Sequence, residues 1–305
     1  MATVVCVGIS VFDIVFRVAE LPREQIKHYA LGRSEVTGGI AANGARAIVR
    51  LGGRAVLGSR IGDDLAGRSV LAELAAEGID VTGVHFVPGG RTSLSAVIID
   101  PSGERMLVND TDPAGLQGRE GVPLGAVDAA DAVLADTRWA DGAALAVVRA
   151  RPRGIPRVLD FDRAPEAGDT GELLAAASHV VFGRQGLAEH TGSDDPGEGL
   201  RRVRGETGAW LGVTRSEEGV FWLEGQRLRH LPAYRILAVD TLAAGDIFHG
   251  AFALALAEGR PEEEALRFAN AAAAIKCTRF GGGAGAPRRG EVEALLGAPD
   301  QPPRG

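Results

Sequence analysis

Short β-branched runs with no polar face alternate along the chain with alanine-rich stretches of helical period. Thr3 to Ile9 reads as a strand, Ile40 to Leu51 as a helix, Ala55 to Arg60 as a strand and Leu65 to Glu77 as a helix. The middle repeats the rhythm, with strands at Ala132 to Ala135, Arg157 to Asp160, His179 to Phe182 and Ala209 to Thr214, and a helix around Ala143 to Arg149. Helical patterns at Ala244 to Glu258 and Glu262 to Thr278 follow, the second opened by Pro261, whose missing N–H does no harm near a first turn. Strands apolar on both faces and spaced by helices predict a parallel sheet covered on both sides, an α/β fold.

Two stretches break the alternation. Val11 to Val18 carries Asp13 and Arg17 among apolar positions, while Ser95 to Asp100 and Arg105 to Asn109 flank a turn at Pro101-Ser102-Gly103. They read as half-exposed antiparallel strands outside the main sheet. Such strands either form a lid over the sheet's mouth, where open α/β folds hold their ligands, or an ordinary edge meander. As a lid they span about 10–37 and 87–112, within a single domain over 1–305.

Composition narrows the function. With 305 residues, 45% of them hydrophobic, the chain buries a substantial core. A net charge of −7 with no long basic run argues against nucleic acid and for a small-molecule partner. No run reaches the roughly 20 apolar residues of a membrane span and the N-terminus has no positive flank, so a cytoplasmic setting is expected. Cys6 and Cys277 lie at opposite ends of the chain in apolar runs and suggest neither a disulfide framework nor a zinc set. Glycine is abundant, 43 of 305 residues, about twice the usual ~7%. Lysine is scarce: Lys27 and Lys276 are the only two among 33 basic residues.

The strongest chemical signal is Asp240-Thr241-Leu242-Ala243-Ala244-Gly245-Asp246-Ile247-Phe248, small residues at the start of a long helix. Unpaired N–H groups and the positive end of the helix dipole make a phosphate site there, and small side chains let the ligand approach the backbone. Asp246 falls in the first turn, where the same potential favours a carboxylate able to take a proton from a hydroxyl. The ordinary alternative is a capping acid.

That segment resembles the second signature of the ribokinase-like (PfkB) carbohydrate kinases, D-T-x-G/A-A-G-D-x-F, with Ala243 where glycine is commoner. Gly38-Gly39-Ile40-Ala41-Ala42-Asn43, followed by Arg50-Leu51-Gly52, resembles the first signature. Gly8-Ile9-Ser10-Val11-Phe12-Asp13 is similar to the family's first strand, and Val213-Thr214 through Gly219 to its V-T-x-G-x-x-G turn, with Ser216 in place of glycine. The resemblance implies a ribokinase-like three-layer sandwich with a central, mostly parallel sheet and a small β-sheet lid. It implies ATP cradled by Ala243, Ala244 and Gly245 with Asp246 as base, and sugar hydroxyls met by Asp13, Gly39 and Asn43. Thr214, Ser216, Gly219, Gly245 and Asn270 fall at nucleotide-side positions. Magnesium is implied with the ATP, and a monovalent cation such as K+ is left open. The family's N-x-x-E element is missing before Thr191-Gly192, where Gly183-Arg184-Gln185-Gly186 stands instead, so the metal ligands are unknown.

Further stretches narrow the resemblance to the sulfofructose kinases: Glu20-Leu21-Pro22 through Lys27, Gly103-Glu104-Arg105 to Asn109, Leu134 to Trp139 with Asp141-Gly142-Ala143, and Phe248-His249-Gly250-Ala251 to Arg279. At the matching positions Lys27, Asn109 and Arg138 imply a sulfonate site, and the implied reaction is ATP-dependent phosphorylation of the C1 hydroxyl of 6-deoxy-6-sulfofructose. Charge alone leaves a phosphate open, since a lysine, an arginine and an amide suit either anion. Fructose 6-phosphate, tagatose 6-phosphate, 2-keto-3-deoxygluconate, fructose and ribose stay open as acceptors, as does a non-catalytic nucleotide-binding relative. Exposed lid strands suggest a homodimer.

Overall fold

In the computed structural model, which describes residues 1–112, 114–164 and 170–298, the alternating burial of the first strand explains the architecture. In β1 (Thr3–Val7), Val4 and Cys6 face one helical layer while Val5 and Val7 face the other, and none is exposed. The chain continues through β2 (Val11–Arg17), β3 (Gly32–Gly38), α1 (Ile40–Arg50), β4 (Arg54–Gly62), α2 (Leu65–Ala76), β5 (Asp80–Val87), β6 (Leu94–Ile99) and β7 (Arg105–Asp110). Next come α3 (Leu124–Ala129), β8 (Ala132–Asp136), α4 (Ala140–Ala150), β9 (Arg157–Phe161), α5 (Thr170–Ala176), β10 (His179–Gly183), α6 (Arg184–Thr191) and α7 (Pro196–Val203). It closes with β11 (Trp210–Thr214), β12 (Val220–Glu224), β13 (Arg227–Leu231), α8 (Ala244–Ala257), α9 (Glu262–Cys277) and α10 (Arg289–Leu296).

Nine strands form the large sheet in the order β13-β12-β11-β10-β9-β8-β1-β4-β5, parallel from β5 to β11 and antiparallel only at the β12–β13 edge. Residues of α1, α2, α8, α9 and α10 pack on the face of Val4 and Cys6, and those of α3 to α7 on the face of Val5 and Val7. This is the expected three-layer ribokinase-like α/β arrangement, mostly parallel and covered on both faces. β1 lies between β4 and β8, so the strand order reverses there and a crevice opens beyond its carboxyl end.

A separate four-stranded sheet, β3-β2-β6-β7, stands over that end. Its β6–β7 turn matches the expected hairpin: Asp100 Oδ1 accepts from the amide and the hydroxyl of Ser102, at 2.8 and 2.6 Å. One expectation needs correction, because β2 and β6 pair parallel rather than antiparallel. The chain between them carries β3, α1, β4, α2 and β5, ample length for the crossover that parallel neighbours require. The sequence pattern does not mark β3, β5, β12 and β13 as strands. The expected span of 1–305 includes residues 113, 165–169 and 299–305, which lie outside the described residues.

Candidate active site

A cleft of about 420 Å³ lies between the small sheet and the carboxyl ends of β1 and β8. Its walls include Asp13, Gly39, Asn43, Asn109, Arg138, Ala243 and Asp246, seven of the residues singled out from sequence. They come from β2, α1, β7, the start of α4 and the start of α8, so the fold gathers segments spread over most of the chain.

Local chemistry explains each placement. Gly39 has φ +97°, and a Cβ on it would lie 2.5 Å from the Ile9 carbonyl, so only glycine lets α1 start against the chain leaving β1. One turn into α1, Asn43 donates from Nδ2 to Asp246 Oδ2 at 2.7 Å. Its own Oδ1 accepts from Arg46 at 3.0 Å, which fixes the orientation of the amide. Arg46, fully buried, also donates to Glu73, Glu77 and the Thr37 carbonyl, at 2.8, 2.5 and 2.9 Å. The chain Arg46–Asn43–Asp246 thus aims the carboxylate from behind.

The turn before α8 is strained. Ala243 has φ 64° and Ser216 φ 48°, the only two non-glycine residues with positive φ among the described residues. Both stand where the resembled motifs usually have glycine, so the left-handed backbone is kept at about 1–2 kcal/mol each. A Cβ on Gly245 would project into open space, so no packing demands a glycine there and its bare backbone faces room for a ligand. Of the first-turn amides of α8, that of Ala244 donates back to the Thr241 carbonyl at 3.3 Å, while those of Gly245 and Asp246 have no partner within the helix. Asp240 anchors the turn by accepting from the amides of Leu242, Gly281 and Gly282 at 2.8, 3.1 and 2.9 Å. The buried Lys276 ammonium adds contacts to its Oδ2 and carbonyl, at 3.1 and 2.7 Å. Burial alone would raise the Asp240 carboxyl, but the Gly282 amide, Lys276 and the Leu242 amide together hold it below the usual carboxylate range. Arg105 of β7 donates to the Thr241 hydroxyl at 2.6 Å, tying the small sheet to the same turn.

Electrostatics set Asp246 apart. Burial and the neighbouring Asp160 charge push its carboxyl up to about 7, against the pull of the Asn43 hydrogen bond and His249. A base poised near neutrality is what proton abstraction from an alcohol needs. Asp13 is pushed to about 6, chiefly by burial, with Ser95 opposing. Arg138 pairs with Asp162 at 3.2 Å, and the cleft wall also carries Asp13, Asp141 and Asp246.

Other sequence candidates sit elsewhere. Lys27 is exposed on the β2–β3 connection and is not among the cleft-lining residues. Thr214 ends β11, its hydroxyl donating to the Phe182 carbonyl at 3.3 Å. Gly219 has φ +96°, and a Cβ there would meet the Leu231 carbonyl at 2.2 Å, so the close strand accounts for this glycine. Asn270 donates to the Pro232 carbonyl at 2.8 Å and holds the segment after β13. None of these three lines the cleft.

Sequence reasoning assigned no role to Asp136. Its Oδ2 accepts from the amides of Ile9 and Ala41 at 2.9 and 3.2 Å, and its Oδ1 from those of Arg138 and Trp139 at 2.9 and 3.4 Å, clasping three cleft segments. A carboxylate ending an otherwise apolar strand is the signal that could have found it. For a metal, no group of three or more His, Cys, Asp or Glu is suitably placed among the described residues. Arg184, where the missing element would fall, is paired to Asp194 at 2.8 and 2.6 Å. The described residues therefore form no dedicated metal cage.

The family model for pfkB family carbohydrate kinases matches residues 1–289. The ribokinase of Bacillus subtilis is 28% identical over 97% of this chain and 100% of its own. Among solved structures, a putative ribokinase from Agrobacterium tumefaciens superposes with a TM-score of 0.91 at 37% identity, covering 97% of both chains. Arabidopsis thaliana ribokinase, solved with ribose and ATP, gives 0.82 at 24% identity over 98% of this chain and 100% of that one.

Proposed function

Because the chain belongs to the pfkB family of carbohydrate kinases, we propose that its cleft holds a sugar hydroxyl against Asp246 and that the γ-phosphoryl group of ATP is transferred to it. One observation carries the reading: a half-buried carboxylate, aimed by Asn43, stands in the first turn of α8 and faces the cleft. Asp246 accepts the hydroxyl proton as the oxygen attacks in line, and the amides of Gly245 and Asp246 stabilise charge spread over the transferred group. Thr214, Ser216, Gly219 and Asn270 we place on the nucleotide side. Magnesium would enter with the ATP phosphates, held mainly by them and by water. The small sheet is read as a lid within one kinase domain; Arg105 on Thr241 links its position to the phosphate turn. Its exposed β7, with Val108 63% exposed, supports the expectation of a homodimer.

The acceptor we infer from Asn109 and Arg138 in the cleft wall is the C1 hydroxyl of an anionic ketose, 6-deoxy-6-sulfofructose. The second reading is ribose, favoured by the relatives named ribokinase and by the Asp162 carboxylate that already neutralises Arg138. For sulfofructose, Lys27 has to swing in from its exposed connection.

Two assays test this. Asp246→Asn is expected to lower kcat about 10²- to 10⁴-fold with sugar binding little changed. Unaltered turnover would reject the base. A kinetic panel of sulfofructose, ribose, fructose, fructose 6-phosphate, tagatose 6-phosphate and 2-keto-3-deoxygluconate ranks the acceptors by kcat/KM. Turnover of none of them, with ATP bound, would favour a non-catalytic relative.

A further inference from the structure

His249 lies on α8 one turn beyond Asp246, 2% exposed, and its ring nitrogens meet only acceptors. Nδ1 is 2.7 Å from the Gly245 carbonyl and 2.8 Å from Asp160 Oδ2. Nε2 is 3.3 Å from the Val181 carbonyl. A neutral imidazole has one nitrogen lone pair, and either tautomer would turn it towards an oxygen lone pair here. Only the imidazolium, with two N–H donors, satisfies both sides. Asp160, itself 2% exposed on β9, is the countercharge.

We propose that His249 is a fixed cation beneath the first turn of α8, clamped by Asp160, that keeps the Asp246 carboxylate ionised beside the sugar hydroxyl. The proposal rests on the reading of Asp246 as base. The charged groups around the ring are Asp160 from β9, Asp162 just after it with Arg138 attached, and Asp246 on the same helix; β10 presents only the Val181 carbonyl. Asp136, at the end of β8, also feels the Asp160 charge. Without the imidazolium, the Asn43 hydrogen bond would be left to oppose the Asp160 charge and the burial that already raise the Asp246 carboxyl. Burial works against the charged ring, but Asp160 outweighs it and holds the imidazole at about 9, so the cation persists while Asp246 titrates near 7. His249 does not line the cleft, which makes it a positioning residue.

The test is the pH profile of kcat in three proteins: parent, His249→Gln, and Asp160→Asn/His249→Gln. His249→Gln should move the acid limb up by about one unit, because a carboxylate that loses a nearby cation needs higher pH to ionise. The double variant, with both charges removed, should return most of that shift. A loss of equal factor at every pH would mean that His249 only packs, and would overturn the proposal. Imidazole 15N shifts of the parent give a readout independent of turnover. Both ring nitrogens of His249 should be protonated at pH 8, and a neutral ring would overturn the proposal even with Asp246 confirmed as base. Retained turnover in Asp246→Asn, by contrast, would refute the base while leaving the ring's charge to the 15N shifts.

Discussion

Replacing Asn43 by alanine removes one hydrogen bond from the Asp246 carboxylate, the 2.7 Å contact from Nδ2. A bond to a charged, half-buried acceptor contributes about 1.5–3 kcal/mol, and at 1.36 kcal/mol per unit that is a rise of about 1–2 pKa units. Asp246 stands at about 7 in the parent, so half of it is ionised at pH 7. In the variant the ionised share at that pH falls to between about 1 and 10%. We expect kcat at pH 7 to drop roughly five- to fiftyfold and to recover towards the parent as pH rises past 9. The assay is coupled ADP release at saturating sugar from pH 5.5 to 10. An acid limb left in place, or a loss of constant factor across the range, would refute the idea that Asn43 tunes the base.

Asp246→Asn should also be more stable than the parent at pH 8. An aspartate raised from 3.8 to about 7 binds its proton more tightly when folded, so it costs stability as pH climbs through that window. The gain in Tm should vanish near pH 4, and a gain independent of pH would contradict the linkage. Arg46→Met strips the partner from Glu73 and Glu77, which are 33 and 24% exposed; breaking a fully buried pair costs about 3–5 kcal/mol, and partial solvation reduces this to about 2–4. Urea unfolding should show it, and a midpoint unchanged from the parent would dismiss the triad as a stabiliser. Arg138→Ala should raise KM for sulfofructose far more than for fructose, and equal losses on both sugars would remove the anion pocket.

The strand–helix rhythm made the central layers readable because β1, β8, β9, β10 and β11 are buried on both faces and carry polar residues only at or next to their ends. The edges were less legible. β13 reads Arg227-Leu228-Arg229-His230-Leu231, a strand by its pairing with β12 rather than by its composition, and the order of the small sheet depends on a crossover that no local pattern encodes. In the site, Asp246 and Gly39 were visible because a helix start and a glycine pair leave local marks. Asp136, Arg46, His249 and Lys276 were not, since each is a polar residue inside an apolar strand or helix whose partner lies far along the chain. Lys27 shows the converse: scarcity of lysine drew attention to it, yet its connection leaves it in solvent.

The Asn43–Asp246 contact joins positions 203 residues apart. During synthesis the first of these leaves the ribosome long before the second, and the pair cannot form until α8 has emerged. A nascent chain with its β-strands already paired therefore lacks the Asn43–Asp246 pair, and the proposed phosphoryl transfer would begin only once α8 has been made.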